Sequence, residues 1–211
     1  ANATSGLGLN PKQVRRGVYH CLLGISDAKD AITPSPQIEK LSILPANQDL
    51  LGAELEMVNA VSREHRLKEV IKQVETDFDF AIIDCPPSLG LLTLNSLSAA
   101  HSALIPLQCE YYALEGLSQL TSTVDLIKRS LNPRLQIEGI VLTMFDRRNN
   151  LSHQVAKDAR AHFGHLVLDV VIPRNVRLSE SPSFGKPIYL YDRASRGAKA
   201  YEKLAAHIAS R

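Results

Sequence analysis

Apolar residues along the chain follow two rhythms. Residues 41–45, 80–84, 103–107, 137–143 and 167–172 are short runs that are apolar almost throughout, without alternation. That is the pattern of strands covered on both faces of a sheet. Leu67, Val70, Ile71 and Val74 fall at i, i+3, i+4 and i+7, which predicts an amphipathic helix over residues 63–76. Leu114, Leu117, Leu120, Val124, Ile127 and Leu131 predict a long helix that Asn132-Pro133 ends. Tyr201, Leu204, Ala205 and Ile208 supply the buried stripe of a last helix. Strands alternating with helices predict an α/β fold, a mostly parallel β-sheet flanked by helices on both faces. Residues 28–39, with prolines at 34 and 36, and residues 174–193 read as irregular, and Gly164 reads as the cap of a helix ending at His162-Phe163.

Composition narrows the picture. With 211 residues, 45% of them hydrophobic, the chain can bury one substantial core, and one domain over 1–211 is expected. Charged residues make up 22% and the net charge is only +2, so neither disorder nor an overall polybasic character is indicated and any nucleic-acid site must be local. Cys21, Cys85 and Cys109 are odd in number and far apart, which suits a reducing cytosol better than a disulfide framework or a zinc site. Thr93, Asn95, Ser96, Ser98, His101 and Ser102 interrupt the most apolar stretch, 89–107, so no membrane span is expected. The first residues show neither the basic nor the apolar region of a secretion signal.

The sharpest chemical signal is the run Phe80-Ala81-Ile82-Ile83-Asp84-Cys85-Pro86-Pro87-Ser88, an apolar strand ending in one carboxylate and stopped by two prolines. In open α/β sheets ligands bind beyond the carboxyl ends of the strands, where a carboxylate can hold magnesium through its water shell. A turn-capping aspartate fits the same residues. A Walker B carboxylate works beside a Walker A loop, whose glycines let backbone N–H groups cradle phosphate. No G-x-x-x-x-G-K-[ST] pattern occurs; the only Gly-Lys pair is Gly185-Lys186, followed by Pro187. His162 and His165 lack ligand-spaced partners for a metal, and no G-x-S-x-G elbow surrounds Ser88 or Ser181.

Four segments resemble the ParA/Soj partition ATPases. They are residues 1–8, the Ile82–Ser88 run, Glu110-Tyr111-Tyr112-Ala113-Leu114-Glu115-Gly116, and the stretch from Ile172 to Lys186 that contains Pro173-Arg174-Asn175-Val176-Arg177. The resemblance extends over essentially the whole chain. It implies a P-loop NTPase-like fold in which the phosphate loop, its helix and the following strand, about 40 residues by the size of a βαβ unit, would stand before Ala1. It implies that Asp84 is the Walker B carboxylate associated with magnesium through water, that Pro86, Pro87 and Ser88 belong to a switch segment sensing the γ-phosphate, and that Met144, Asp146, Pro173 and Asn175 line the pocket for the base of ATP. Core packing also accounts for Met144. It further implies a cytoplasmic, nucleoid-associated protein that forms a homodimer with ATP and Mg2+, binds double-stranded DNA nonspecifically and is cycled by a ParB-type partner.

Local charge supports a DNA-facing surface independently. From residue 174 to 211 there are eight basic residues against three acidic ones, in a chain of net charge +2. Such a concentration is the footprint of phosphate-backbone contact. Arg177 and Arg196 match the family's DNA-binding arginines, and Lys199 stands one turn from Arg196. A solvated helix face is the plainer reading of the same charges. Two other functions share these residues: a MinD-like membrane-cycling regulator, against which the short, small-sided segment 204–211 argues, and a degenerate, non-enzymatic DNA-binding relative. Without the loop, the 211 residues by themselves are expected neither to bind ATP tightly nor to hydrolyse it, and to be poorly stable or self-associating.

Overall fold

A computed structural model describes every residue except Ala1, Pro87, Leu89 and Arg211. The chain forms two compact units, one of residues 1–101 with 130–133 and one of residues 102–129 with 134–211. The first holds α1 (Asn2–Gly6), α2 (Val18–Leu22), α3 (Ala28–Ala31), β1 (Thr33–Pro34), β2 (Ser42–Ile43), α4 (Leu50–Glu56), α5 (Arg66–Lys72) and α6 (Leu91–Ala99). The second holds β3 (Ser102–Gln108), all but the last residue of α7 (Ala113–Ser130), β4 (Gln136–Phe145), α8 (Asn150–Phe163), β5 (Val167–Pro173), α9 (Val176–Glu180), α10 (Ile188–Tyr191) and α11 (Arg196–Ala209).

In the second unit β3, β4 and β5 form a parallel sheet with β4 in the centre. Successive strand residues face opposite sides, and both sides are covered. Ile105, Leu107, Ile140, Leu142 and Val167 pack with Leu117 of α7 and with Val155, Ala156 and Ala159 of α8. Val141, Leu168 and Ile172 pack with Ala200 and Leu204 of α11. This two-sided cover is why β4 reads as a continuous apolar run, and burying each Leu, Ile or Val here is worth about 1.5–3 kcal/mol.

The helices end where local chemistry ends them. Asn149 accepts the Leu151 N–H at 2.9 Å to start α8, and Gly164 closes it at φ +55°, as its predicted cap. Ser195 Oγ accepts the Ala198 N–H at 3.1 Å to start α11. Gly197 lies where a Cβ would stand 2.6 Å from Leu178 Cγ, so only glycine lets α11 approach α9 this closely. The buried stripe of α11 is Gly197, Ala200 and Leu204 with Ile208 partly covered; Tyr201 and Ala205, expected inside, face outward. Ala200, Leu204 and Ile208, four residues apart, turn one side of α11 to the sheet, and Tyr201 and Ala205, one position on, fall outside it.

The first unit packs Cys21, Leu22, Ala53, Met57, Leu67, Val70 and Val74 into a mainly helical core. The helix expected over 63–76 is α5 with short 3-10 turns at 63–65 and 75–77, and Leu67, Val70 and Val74 are buried as its spacing requires. Two expected strands are corrected. The 41–45 run gives only the two residues of β2, paired antiparallel to β1. The 80–84 run forms no strand: it is irregular and unpaired, with Phe80 65% and Ile82 96% exposed. An apolar run becomes a parallel strand only where a neighbouring strand completes a hydrogen-bond ladder with it, and no described residue pairs with this one. Within the segments expected to be irregular, residues 28–31, 176–180 and 188–191 form the short helices α3, α9 and α10.

Helix α6 was not expected. It carries Asn95, Ser96 and Ser98 buried, and Asn95 spends its whole amide on the fold: Oδ1 accepts the Leu67 N–H at 3.0 Å while Nδ2 donates to the Arg63 and Leu91 carbonyls at 2.8 and 3.0 Å. Asn132 closes the far end of α6 by donating to the Leu97 and Ala100 carbonyls at 3.0 and 2.8 Å. No described helix is long and apolar enough to cross a membrane.

Candidate functional site

Because the three strands of the second unit are parallel, their carboxyl ends share one edge, the side on which open α/β sheets bind ligands. Three of the four expected base-pocket residues lie on or directly after those ends, and the fourth follows closely. Met144 is the penultimate residue of β4, Asp146 follows that strand, Pro173 ends β5 and Asn175 starts α9. The two strand ends are laced together: Phe145 pairs with Pro173, and the Arg174 N–H donates to the Phe145 carbonyl at 3.0 Å. Met144 is half-buried and has φ +52°, the left-handed region that costs a residue with a side chain about 1–2 kcal/mol. Backbone strain of this kind collects at functional sites.

Two polar groups at this edge are already engaged. Arg148 clamps Asp146 through Nη2 at 3.2 Å and Nε at 3.3 Å, and its backbone N–H donates to Oδ1 at 3.0 Å. The guanidinium, and then that N–H, hold the Asp146 carboxyl below the usual aspartate range. Asn175 Oδ1 accepts the Arg177 N–H at 2.9 Å, which leaves its amide NH2 to donate elsewhere. At the end of β3 an open pocket of about 350 Å³ is lined by Leu107, Gln108, Glu110, Tyr111, Tyr112 and Ala113. Tyr111 and Tyr112 are 76% and 74% exposed and meet edge to face at 5.0 Å. The sequence reading used this segment only as a family signature; its signal was two adjacent aromatic residues just past a buried strand.

Asp84 lies in the first unit on the unpaired 80–86 segment, which is exposed apart from Ile83, half-buried against that unit's core, so the buried strand expected to carry it is absent. Its carboxylate is exposed, and among the described residues no cluster of three His, Cys, Asp or Glu side chains could hold a metal ion. Of the switch residues, Pro87 lies outside the described residues. Thr93 of α6 donates to the Ser88 carbonyl at 2.5 Å and reaches that of Pro86 at 3.4 Å, tying this segment to the helix that follows. Glu54 accepts the Leu92 N–H at 3.0 Å, a carboxylate at a helix start where the dipole favours it.

The basic residues divide into two kinds. Arg196 and Lys199 are exposed on α11 without an ion pair among the described residues, and Lys203 continues their stripe one turn on. Arg177 is tethered instead: Nη1 contacts Glu180 Oε2 at 3.0 Å and Nε contacts Asp192 Oδ2 at 3.4 Å, while Tyr191 donates to the same Glu180 oxygen at 3.0 Å. The Glu180 hydrogen bond, with a further contribution from Tyr191, pushes the Arg177 guanidinium up.

Relatives extend across all of this. A family model described as an AAA domain matches residues 1–137. Chromosome partitioning protein ParA of Myxococcus xanthus is 52% identical over 210 residues, covering 100% of this chain and 74% of that protein. The chain belongs to the ParA/Soj family of chromosome-partitioning ATPases. Sporulation initiation inhibitor protein Soj of Bacillus subtilis is 53% identical over 209 residues, 99% of this chain and 82% of its own length. Among solved structures, cobyrinic acid a,c-diamide synthase from Mycobacterium smegmatis with bound ATP analogue and magnesium has TM-score 0.81 at 37% identity, covering 96% of this ParA/Soj chain and 75% of its own. The cell division ATPase MinD of Pyrococcus furiosus has TM-score 0.80 at 27% identity, covering 100% of this chain and 81% of its own.

Proposed function

We propose that this ParA/Soj chain serves chromosome or plasmid partition, forming a homodimer with ATP, binding double-stranded DNA without sequence preference, and cycling with a ParB-type partner in the cytoplasm at the nucleoid. The observation that carries the reading is 52% identity to a chromosome partitioning ParA across the whole chain. Basic stripe and strand-end edge give that reading its chemistry.

The residues present fit magnesium in a limited way. One exposed carboxylate, Asp84, suits an ion held mainly by water and phosphate, and does not suit an ion caged by protein. Magnesium, when bound with ATP, neutralises charge on the phosphate oxygens. The chain's own residues act around the nucleotide: Met144 and Pro173 offer apolar surface to the base, the Asn175 amide donates to it, and Asp146, held by Arg148, shapes the turn beneath. Pro86 and Ser88, tied to Thr93, respond to the γ-phosphate. The 211 residues contain no Walker A loop, so alone they do not turn ATP over; magnesium-dependent turnover by the purified chain contradicts this.

DNA is held by Arg196 and Lys199, with Arg177 exchanging one carboxylate for a phosphate. The apolar stripe of α11 is spent against β4 and β5, which favours nucleic acid over a membrane as the partner of its exposed face. Fluorescence anisotropy with unrelated duplexes at several salt concentrations tests this. Affinities equal across sequences are expected, and Arg196→Ala with Lys199→Ala should flatten the log-affinity against log-salt slope by about 0.9 per lost contact. An unchanged slope, or strong sequence preference, refutes the assignment.

A further inference from the structure

A second basic surface, this one concave, lies in the first unit, far along the sequence from Arg177, Arg196 and Lys199. A groove of about 590 Å³ is lined by Val61, Ser62, His65, Arg66, Lys68, Glu69 and Lys72. Arg66, Lys68 and Lys72 supply its basic side chains, and Glu69 is the one carboxylate among its lining residues, 4.0 Å from the Lys72 ammonium across an exposed pair. Exposed pairs of that length are weak and yield readily to a better anion. The Nε of Arg66 is shut away from solvent and has no hydrogen-bond partner among the described residues. A guanidinium N–H in that state carries a desolvation cost that an anion accepting from it would remove.

The groove is also held in shape before any ligand arrives. Buried Asn95 ties down the backbone that carries the groove residues, accepting from the Leu67 N–H and donating to the Arg63 carbonyl. Ser98, also buried, meets His65 Nδ1 at 2.6 Å, and when its hydroxyl donates there, the proton of the imidazole resides on Nε2. Ser62 turns the chain into the groove at φ +53°, and the His65 N–H returns to the Ser62 carbonyl at 2.9 Å. His65, Lys68 and Lys72, at i, i+3 and i+7, then line one face of the helical segment beside the planar fork of Arg66. Cations of this geometry around a fixed concavity match the oxygens of a phosphate group, which accepts charge-assisted bonds from guanidinium and ammonium alike.

From this we infer that the 61–72 groove is a phosphate-binding site, with Arg66 as its anchoring donor and Lys68 and Lys72 as its neutralising charges. Its phosphate comes either from a free polyphosphate or from a nucleic-acid backbone. The site is independent of the basic face of α11, so its failure and the failure of that face are separable.

The test follows the Arg66 Nε–Hε resonance by two-dimensional NMR of the whole 211-residue chain, titrated in parallel with sodium pyrophosphate and with a short duplex. Saturable movement with pyrophosphate alone supports the site and assigns it a free polyphosphate. Movement with the duplex that pyrophosphate competes away supports the site and assigns it the backbone. Lys68→Ala with Lys72→Ala, both exposed and outside the core, should weaken the response about tenfold or more, while Arg196→Ala with Lys199→Ala should leave it in place. If Arg66 stays still with both probes, or the double lysine variant titrates like the parent, the inference is overturned.

Discussion

Residues 137–142 and 80–84 are apolar runs of the same kind, yet they end in opposite situations. The first became β4, central in a parallel sheet with helices on both faces. The second stays irregular and unpaired, with Ile82 almost wholly exposed. Composition cannot account for this, since both runs are rich in isoleucine or valine. The difference lies in the neighbours: β4 has β3 and β5 to complete its ladder, and the 80–84 run has no pairing strand among the described residues. A sequence run states that a strand would be buried on both faces, whereas hydrogen-bond partners decide whether the strand exists.

Substitutions can break or sharpen that contrast. Leu142→Ala, at a fully buried position in the central strand, should cost about 2–5 kcal/mol in denaturant unfolding. A loss below about 1 kcal/mol would mean that the sheet core is loose. Asn95→Ala should come next, at about 1–3 kcal/mol, because it leaves the Leu67 N–H and the Arg63 carbonyl without partners inside the first unit. Its thermal unfolding measured beside that of Asn132→Ala would show how far α6 organises that unit.

Ile82→Lys should change stability by no more than about 0.5 kcal/mol. It should nevertheless lower self-association in light scattering, because an unpaired apolar segment is a template for another chain and a lysine blunts it. A large destabilisation would place Ile82 in a paired strand in solution. The smallest effect concerns pH. The Asp146 carboxyl is held below its ordinary value of 3.8, so its clamp by Arg148 contributes above that value and is lost as pH falls through the depressed one. Arg148→Ala should bring the carboxyl back toward the ordinary range in an NMR titration, with folding at neutral pH barely altered; an unmoved titration would show that the pairing does not persist in solution.

Most of the second unit was legible beforehand. The runs over 103–107, 137–143 and 167–172 became β3, β4 and β5, and the stripe Leu117, Val124 and Ile127 placed α7, because in each case the local period matched the face that tertiary packing buries. Gly164 was readable as a cap because few other residues take its backbone angle without strain. Tyr201 was misplaced because the periodicity of α11 permits two adjacent stripes, and the close approach of Gly197 to Leu178 selects the one that continues through Ala200 and Leu204. Helix α6 was missed because its interior is polar: Asn95 and Ser98 are buried through hydrogen bonds to α5 and the turn before it, which no hydrophobic pattern records.

By itself the sequence determined membership in the partition-ATPase family, the three strands of the parallel sheet, and the concentration of basic residues after position 174, since identity, apolar period and charge are properties of the chain read in order. Only the tertiary structure decided which basic groups are open. Arg196 and Lys199 face solvent, Arg177 is bound between Glu180 and Asp192, and Arg66, lining the groove with Lys68 and Lys72, keeps a buried Nε without a hydrogen-bond partner among the described residues. The physical reason is that a charge acts through the partners and solvent around it, and these are contributed by residues distant in the chain.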